Sequence, residues 1–386
     1  MEDKEDTNSA QDTETGITDM TNNHLEVRKS GDITPERIEK ILIRGTNWIG
    51  DVIMSLPAVS AVRRSFSRAR ISVLAKPWVA DLYRSCPDVD DVIIFQSPGR
   101  HDGIGGKMRL TAELRGEEFD LAVLLQNAIE AALIAWHARI PLRAGYDSDC
   151  RGLLLTHAVH RTRAIRKVHQ IDYYLEMVKA LGCTVAGRDI RLVPDDDARS
   201  AADKILAGFG VHQRDTLIGI APGASYGPAK MWFPDRFAAV ADRLADDFSA
   251  KVVLFGSAGD RERTDRVQRH AKRDLINLAG ETGLREAMAL ISRCDLFISN
   301  DSGLMHLAGA LDVPLIAIFG STNPVTTSPP GEKSRVIYKN VSCSPCLKKK
   351  CPTDFRCMDL IQADDVCDAA RRLLEGQDAV ETMVKG

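Results

Sequence analysis

The sequence predicts an α/β protein built from two Rossmann-like domains facing across a cleft, with an acidic tail at 1–36 ahead of domains at 37–193 and 194–386. Three observations predict it. Short β-rich runs alternate with helical stretches, a pattern that implies parallel strands joined by helical crossovers. The alternation restarts after a polar stretch around Arg191–Asp197 that carries Pro194. In the second half, glycines follow one strand after another, as they do where backbone must approach a ligand along a sheet edge.

Met1–Asp32 is rich in Asp, Glu, Thr and Asn and poor in large apolar residues. Such a segment buries too little surface to offset its ordering entropy, so disorder is expected, with order beginning near Pro35. Lys40–Ile43 reads as a buried strand, followed by the glycine turn Gly45–Gly50 and a helix through Ser55–Ser65. Arg70–Ala75, Asp91–Phe95 and Leu121–Leu125 are further strands, with helices at Gly106–Arg115, Glu130–Ala138 and Gln170–Leu181. The second domain reads as five strands and four helices. The strands are Leu217–Ala221, Lys251–Phe255, Leu275–Leu278, Leu296–Ser299 and Pro314–Phe319. The helices are Pro234–Phe248, Asp260–Arg273, Leu284–Arg293 and Leu304–Leu311.

Composition narrows the class. The chain of 386 residues is 44% hydrophobic and 27% charged, a soluble globular balance for two cores. No apolar run reaches the roughly 18 residues of a spanning helix, and no hydrophobic stretch follows a basic start. A cytoplasmic protein is therefore expected, with its nine cysteines reduced. Residues 1–36 hold 3 basic and 10 acidic side chains, residues 37–193 hold 23 and 17, and residues 194–386 hold 25 and 27. The basic first domain suggests an anionic partner, against the alternative of an ordinary solvated surface. No nucleic-acid partner is expected.

Gly45-Thr-Asn-Trp-Ile-Gly50 has the glycine spacing of a P-loop, but Asp51 and Val52 stand where its lysine and hydroxyl belong. The GxGxxG pattern of dinucleotide folds is also missing. An NTPase and an NAD enzyme are thereby disfavoured. The turn instead delivers Asp51 to the amino end of a helix, where the dipole favours an ionised carboxylate. It reads as a general base or as a helix cap.

In the second domain Asn300-Asp301-Ser302-Gly303-Leu304-Met305-His306 follows a strand and opens a helix. Backbone N–H groups at Ser302 and Gly303 suit a phosphate. His306 either donates to a phosphate oxygen or is a satisfied structural residue. Lys230, between prolines and an aromatic cluster, either neutralises a departing diphosphate or is simply solvated. Asp260 follows Gly256 and reads equally as a ribose contact or a cap. Cys343, Cys346, Cys351 and Cys357, in a segment at 343–357, have spacing that permits a structural zinc site, with free thiols or a conditional disulfide as alternatives.

Together these residues resemble the lipopolysaccharide heptosyltransferase family, and the second-domain motifs are most similar to its heptosyltransferase II branch. The matches are Ile43-Arg-Gly-Thr-Asn-Trp-Ile-Gly-Asp51, Pro222-Gly-Ala, Gly227-Pro-Ala-Lys230, Phe255-Gly-Ser-Ala258, Asn277-Leu-Ala-Gly-Glu281 and Asn300-Asp-Ser-Gly-Leu-Met-His306. The resemblance implies a GT-B fold and an inverting, metal-independent transfer with no cofactor. It implies ADP-heptose as donor and the heptose of lipid A–linked inner-core oligosaccharide as acceptor. By position Asp51 matches the family's base and Lys230 its phosphate-binding lysine. Asp260 matches its ribose contact, and Asp301, Ser302, Gly303 and His306 match its diphosphate and heptose loop. Ser225 falls beside a phosphate-contacting hydroxyl. Peripheral contact with the inner face of the inner membrane is expected from the basic first domain. A transferase with another acceptor, a sugar-nucleotide epimerase and an ADP-sugar binding protein are the competing readings. The acidic tail and the cysteine cluster depart from the simplest family pattern.

Overall fold

The computed structural model describes residues 25–376. Its first sheet has seven strands: β1 Val27–Lys29, β2 Lys40–Arg44, β3 Arg70–Ala75, β4 Asp91–Ile94, β5 Leu121–Leu124, β6 Leu142–Tyr146 and β7 His157–Val159. The spatial order is β1-β7-β6-β5-β2-β3-β4, and every pairing is parallel except β1 with β7. The second sheet comprises β8 Leu217–Ala221, β9 Lys251–Leu254, β10 Ile276–Asn277, β11 Leu296–Asn300, β12 Leu315–Phe319 and β13 Ser334–Tyr338. Its order is β10-β9-β8-β11-β12-β13, all parallel. Every residue of β8, β11 and β12 is buried, as unbroken apolar strands covered by helices on both faces must be.

Three departures from the sequence reading have local causes. The tail expected over 1–36 is too long: residues 1–24 lie outside the described residues, but Leu25, Val27 and Ile33 pack on the core and β1 pairs with β7. The apolar side chains are few, yet a ready sheet edge needs few. β6, β7 and β13 were not anticipated, because none of these short strands, the interior β6 and β7 or the edge strand β13, carries a long unbroken apolar run. The helices Asp196–Gly208 and Ala363–Leu374 were also missed, the first packing against Leu284–Ser292 and the second against Pro234–Phe248.

The helix Ile49–Ser65 fixes the relation between the two halves. It is buried from Val52 through Val62, because the helix Gln170–Ala180 covers it within its own domain. The helix Gly303–Ala310 of the second domain covers it as well. One continuous apolar cluster accordingly runs from Ile43, Val52 and Tyr174 to Met288, Met305 and Leu307. On the far face of the second sheet a separate core gathers Trp232, Phe237, Met358 and Val366.

Candidate active site

The chain reaches the cleft from β2. Its Gly45 lies so close to Tyr83 that a β-carbon there would sit 2.5 Å from the phenol oxygen. The Tyr83 hydroxyl in turn accepts the Thr46 N–H at 3.1 Å. Trp48, in extended backbone, precedes the helix and supplies no side-chain cap. Asp51 is the third residue of that helix, and no hydrogen bond to its carboxylate is found among the described residues. It is therefore not a cap. Burial pushes its pKa up to about 6, an effect partly offset by the positive charge of Lys230 across the cleft. The expected dipole stabilisation of the ionised form is outweighed by desolvation.

Facing it, β11 runs into Asn300-Asp301-Ser302 and the helix Gly303–Ala310. Ser302 caps this helix, its hydroxyl accepting from Met305 N at 3.4 Å and lying 3.0 Å from Ser299 Oγ. The first N–H groups of the helix have no partner within it and open toward the cleft side. Asp301, expected in the donor loop, is paired within the site. Its Oδ2 accepts from Lys230 Nζ at 2.6 Å and from Thr322 Oγ1 at 2.6 Å. Both partners are largely buried, so this is a positioned lysine and not a solvated one. Thr322, on the loop after β12, was missed in the sequence, although Gly320 had marked that loop.

His306 is buried, and burial pushes its pKa down to about 4, so the ring is neutral in ordinary conditions. Its Nδ1 has no hydrogen-bond partner. The ring lies against Gly50, where a β-carbon would stand 2.7 Å from His306 Cδ2. A β-carbon on Gly303 would likewise stand 2.8 Å from Ile49 Cβ. Two glycines, one on each domain, thus let the amino ends of two helices meet. Asp51, Lys230, Asp301 and His306 gather at that junction, as the mutual effects of their charges require.

Asp260 and Ser225 lie farther along the second sheet's edge. One Asp260 oxygen accepts from Ser257 N at 2.9 Å and from Ser257 Oγ at 2.7 Å, which is a cap. The other faces Gly223, and neither Gly223 nor Gly256 has room for a β-carbon beside this side chain. The two readings of Asp260 are thus compatible, because each uses a different oxygen. Ser225 is exposed on the loop between β8 and Lys230.

The comparisons with known proteins bear on this arrangement. Residues 107–355 match the family model described as glycosyltransferase family 9 (heptosyltransferase). Lipopolysaccharide heptosyltransferase 2 of Salmonella typhimurium is 34% identical over 309 residues, covering 77% of this chain and 87% of that protein. The chain belongs to glycosyltransferase family 9. Among solved structures, ADP-heptose lipopolysaccharide heptosyltransferase II of E. coli superposes with a TM-score of 0.75 at 29% identity. That alignment covers 88% of this chain and 100% of the other. A family 9 glycosyltransferase from Veillonella parvula, at 24% identity, shares the fold with a TM-score of 0.78 over 88% of this chain and 97% of its own. The architecture is the GT-B type, and the chain is a heptosyltransferase.

In this heptosyltransferase the cysteine segment braces the loops that carry Lys230 and Thr322. Tyr226 donates its hydroxyl to Leu347 O at 2.7 Å, Ala229 N donates to Lys349 O at 3.1 Å, and Leu347 N donates to Ser321 O at 2.8 Å. The loop carrying Lys230 and the loop carrying Thr322 are therefore tied to the same strap. Cys343, Cys346, Cys351 and Cys357 are all thiols, and Cys351 Sγ accepts the Phe355 N–H at 3.3 Å. Among the described residues no group of three or more His, Cys, Asp and Glu side chains is arranged to hold a metal ion. His169 also escaped the sequence reading. Its Nε2 meets Ser328 O at 3.1 Å and links the two domains beside the cleft. A histidine just ahead of a helix carries no signal for such a contact.

Proposed function

We propose that this heptosyltransferase moves heptose from ADP-heptose onto the heptose of the lipopolysaccharide inner core by a single inverting displacement. The observation that carries the site assignment is the opposition of Asp51 to the Lys230–Asp301–His306 group across a junction closed by Gly50 and Gly303. Asp51, ionised above about pH 6, accepts the proton of the acceptor hydroxyl as that oxygen attacks the anomeric carbon. The bond from that carbon to the diphosphate oxygen breaks on the opposite face, and ADP leaves with the electron pair.

The second domain is built to receive that charge. Lys230 is held toward the cleft by Asp301, the N–H groups of Ser302 and Gly303 lie at a positive helix end, and neutral His306 donates one ring N–H. Ser225 contacts phosphate, and Asp260 offers its unshared oxygen to the ribose hydroxyls. The chain works in the cytoplasm, in peripheral contact with the inner face of the inner membrane. No helix among the described residues is long and apolar enough to cross a membrane.

The test is release of ADP from ADP-heptose by the purified chain, with and without heptose-primed core acceptor. Release that requires acceptor is expected. Conversion of donor alone would identify an epimerase, and binding without release would identify a binding protein. Either result rejects transfer.

A further inference from the structure

Two cations are buried together at the carboxyl edge of the first sheet. Arg44 ends β2 and is 3% exposed, and Lys76 follows β3 and is 8% exposed. Burial pushes the Arg44 pKa down to about 10 and lowers that of Lys76, which the Arg44 charge lowers further. Neither has a carboxylate within 4.0 Å among the described residues. The acidic groups whose charge reaches Lys76 are Glu130 and Asp102, and the other cation is Lys107. Glu130 is paired with Lys107 at 2.7 Å, and Asp102 accepts from Gly99 N at 2.7 Å. Arg44, Lys76 and Lys107 thus meet two carboxylates, and the two most buried cations are the ones left without an ion partner. Burial in that condition is costly unless a ligand completes it.

Arg44 spends its donors on the protein. Its Nη1 bonds to Gly45 O and Leu74 O, and its Nη2 bonds to Asn47 Oδ1 at 3.1 Å, so it shapes the turn that leads to Asp51. Lys76 does not. Its Nζ stands 3.7 Å from the centre of the Phe95 ring and donates one hydrogen bond, to Ser97 O at 2.7 Å. Its two other N–H groups have no acceptor among the described residues. The loop presenting Ser97 O is tied to itself, His101 N donating to Gln96 O at 2.8 Å and Gln96 N to His101 Nδ1 at 3.1 Å. Beside this ammonium stand two tryptophans. Trp78 donates its indole N–H to Asn47 O at 2.8 Å, lies 5.8 Å from Lys76 Nζ and is still 49% exposed. Trp48, on the same turn and three residues before Asp51, is 64% exposed. A purely structural lysine accounts for the Phe95 and Ser97 contacts, but not for the free donors or the uncovered rings.

We propose that Lys76, Trp78 and Trp48 form an acceptor subsite, in which an oxyanion on the saccharide, a carboxylate or a phosphate, meets the Lys76 ammonium while a sugar ring packs on the tryptophans. An indole anchored at its polar edge offers its face to the apolar face of a sugar. Open parallel sheets take their ligands at this edge, and Asp51 lies on the helix that follows the same turn. A saccharide held here by its acidic group therefore brings a neighbouring hydroxyl toward the base. Lys230 across the junction serves the donor in the reading given above, which leaves an anion pocket on the first domain for the acceptor. The subsite rests on that reading and makes the first domain select acidic saccharides over neutral ones of the same size.

Initial rates are measured with the full-length chain, ADP-heptose and a deacylated core saccharide carrying heptose, in native, carboxyl-methylated and phosphatase-treated forms. Lys76→Met should raise the KM for the native saccharide about 10- to 100-fold and leave the donor KM unchanged. On the form that has lost the recognised anion, wild type and variant should become equal, which tells carboxylate from phosphate. The variant should be no less stable to urea, because it loses a desolvated cation. A penalty of the same size on all three saccharides, or an acceptor KM that does not move, would overturn the proposal. Where Lys76→Met does not fold, tryptophan fluorescence of the wild type is titrated with the three saccharides. Binding should weaken about tenfold for one neutralised form, and the signal should fade in Trp48→Phe/Trp78→Phe. Equal affinity for all three forms, or an undiminished signal in that variant, rejects the subsite. Absence of transfer onto any saccharide would instead count against the functional reading, and the titration would still decide the pocket.

Discussion

Asp51 was legible as a candidate because a glycine turn put a carboxylate where a phosphate-binding loop needs a cation. Its ionisation was not, since that depends on the helix Gly303–Ala310 closing over it from some 250 positions later in the chain. With a pKa of about 6, it should impose an acid limb centred near pH 6 on kcat, well above the ordinary carboxylate range. Asp51→Asn should lower kcat by on the order of 10²–10⁴ with donor affinity little changed; near-normal turnover would reject its role as the base. The same residue should be a burden on stability. Its raised pKa means that the contribution is greatest below about pH 4 and is lost as pH rises through about 6. His306, lowered to about 4, works the other way: its contribution is present above its unfolded value of about 6.5 and is lost as pH falls through about 4. The two offset each other in the wild type. Asp51→Asn removes the first alone, so the variant should gain ~1–3 kcal/mol at pH 8 and lose that gain by pH 4. Urea unfolding at both pH values checks this, and a variant no more stable than wild type at pH 8 would mean the carboxylate is not strained by burial.

Among the elements, those with unbroken apolar runs or glycine-marked ends were readable, and β3 and β8 kept the bounds assigned from sequence. Elements defined by what they lean on were not. β1 exists because β7 offers an edge, and the strap at 343–357 takes its shape from the loops it grips. Glycine after a strand likewise announced a close approach, but not that Gly50 and Gly303 make way for opposite domains. Gly303→Ala should therefore leave the melting temperature nearly intact while lowering kcat/KM by about 10- to 100-fold, because a displacement near 1 Å at the junction misaligns donor and base. Full activity in this variant would show that the junction opens during turnover. The strap gives a milder expectation. Tyr226→Phe removes one hydrogen bond to Leu347 O, worth about 1 kcal/mol, and should raise the donor KM roughly fivefold with the acceptor KM unchanged. An equal rise for both substrates would place the effect in folding or closure instead of the Lys230 loop.

On the scale of the whole molecule, counting residues revealed the basic first domain but not where its charge lies, since a sum has no direction. From Cys150 to Ile171 the chain carries Arg151, Arg161, Arg163, Arg166 and Lys167 and no Asp or Glu. Arg151 is buried and holds the carbonyls of Tyr146, Gln126 and Leu124, so it is structural. Arg163, Arg166 and Lys167 are exposed on the stretch that ends at His169, the residue that meets Ser328 across the cleft. Exposed positive charge therefore lies on the first domain beside that contact, on what is proposed above as the acceptor side, while Lys230, on the proposed donor side, is enclosed and paired. Salt should discriminate between these two arrangements. Exposed charges are screened over about 10 Å at 0.1 M salt, whereas a buried pair is screened far less. Raising ionic strength from about 0.05 M to 0.3 M should thus increase the KM of an anionic acceptor several-fold and leave that of ADP-heptose nearly constant. Arg163→Glu/Arg166→Glu should reproduce the high-salt acceptor KM at low salt and flatten its further dependence. Parallel shifts for donor and acceptor would trace the salt effect to domain closure, and these exposed charges would then have no part in selecting the acceptor.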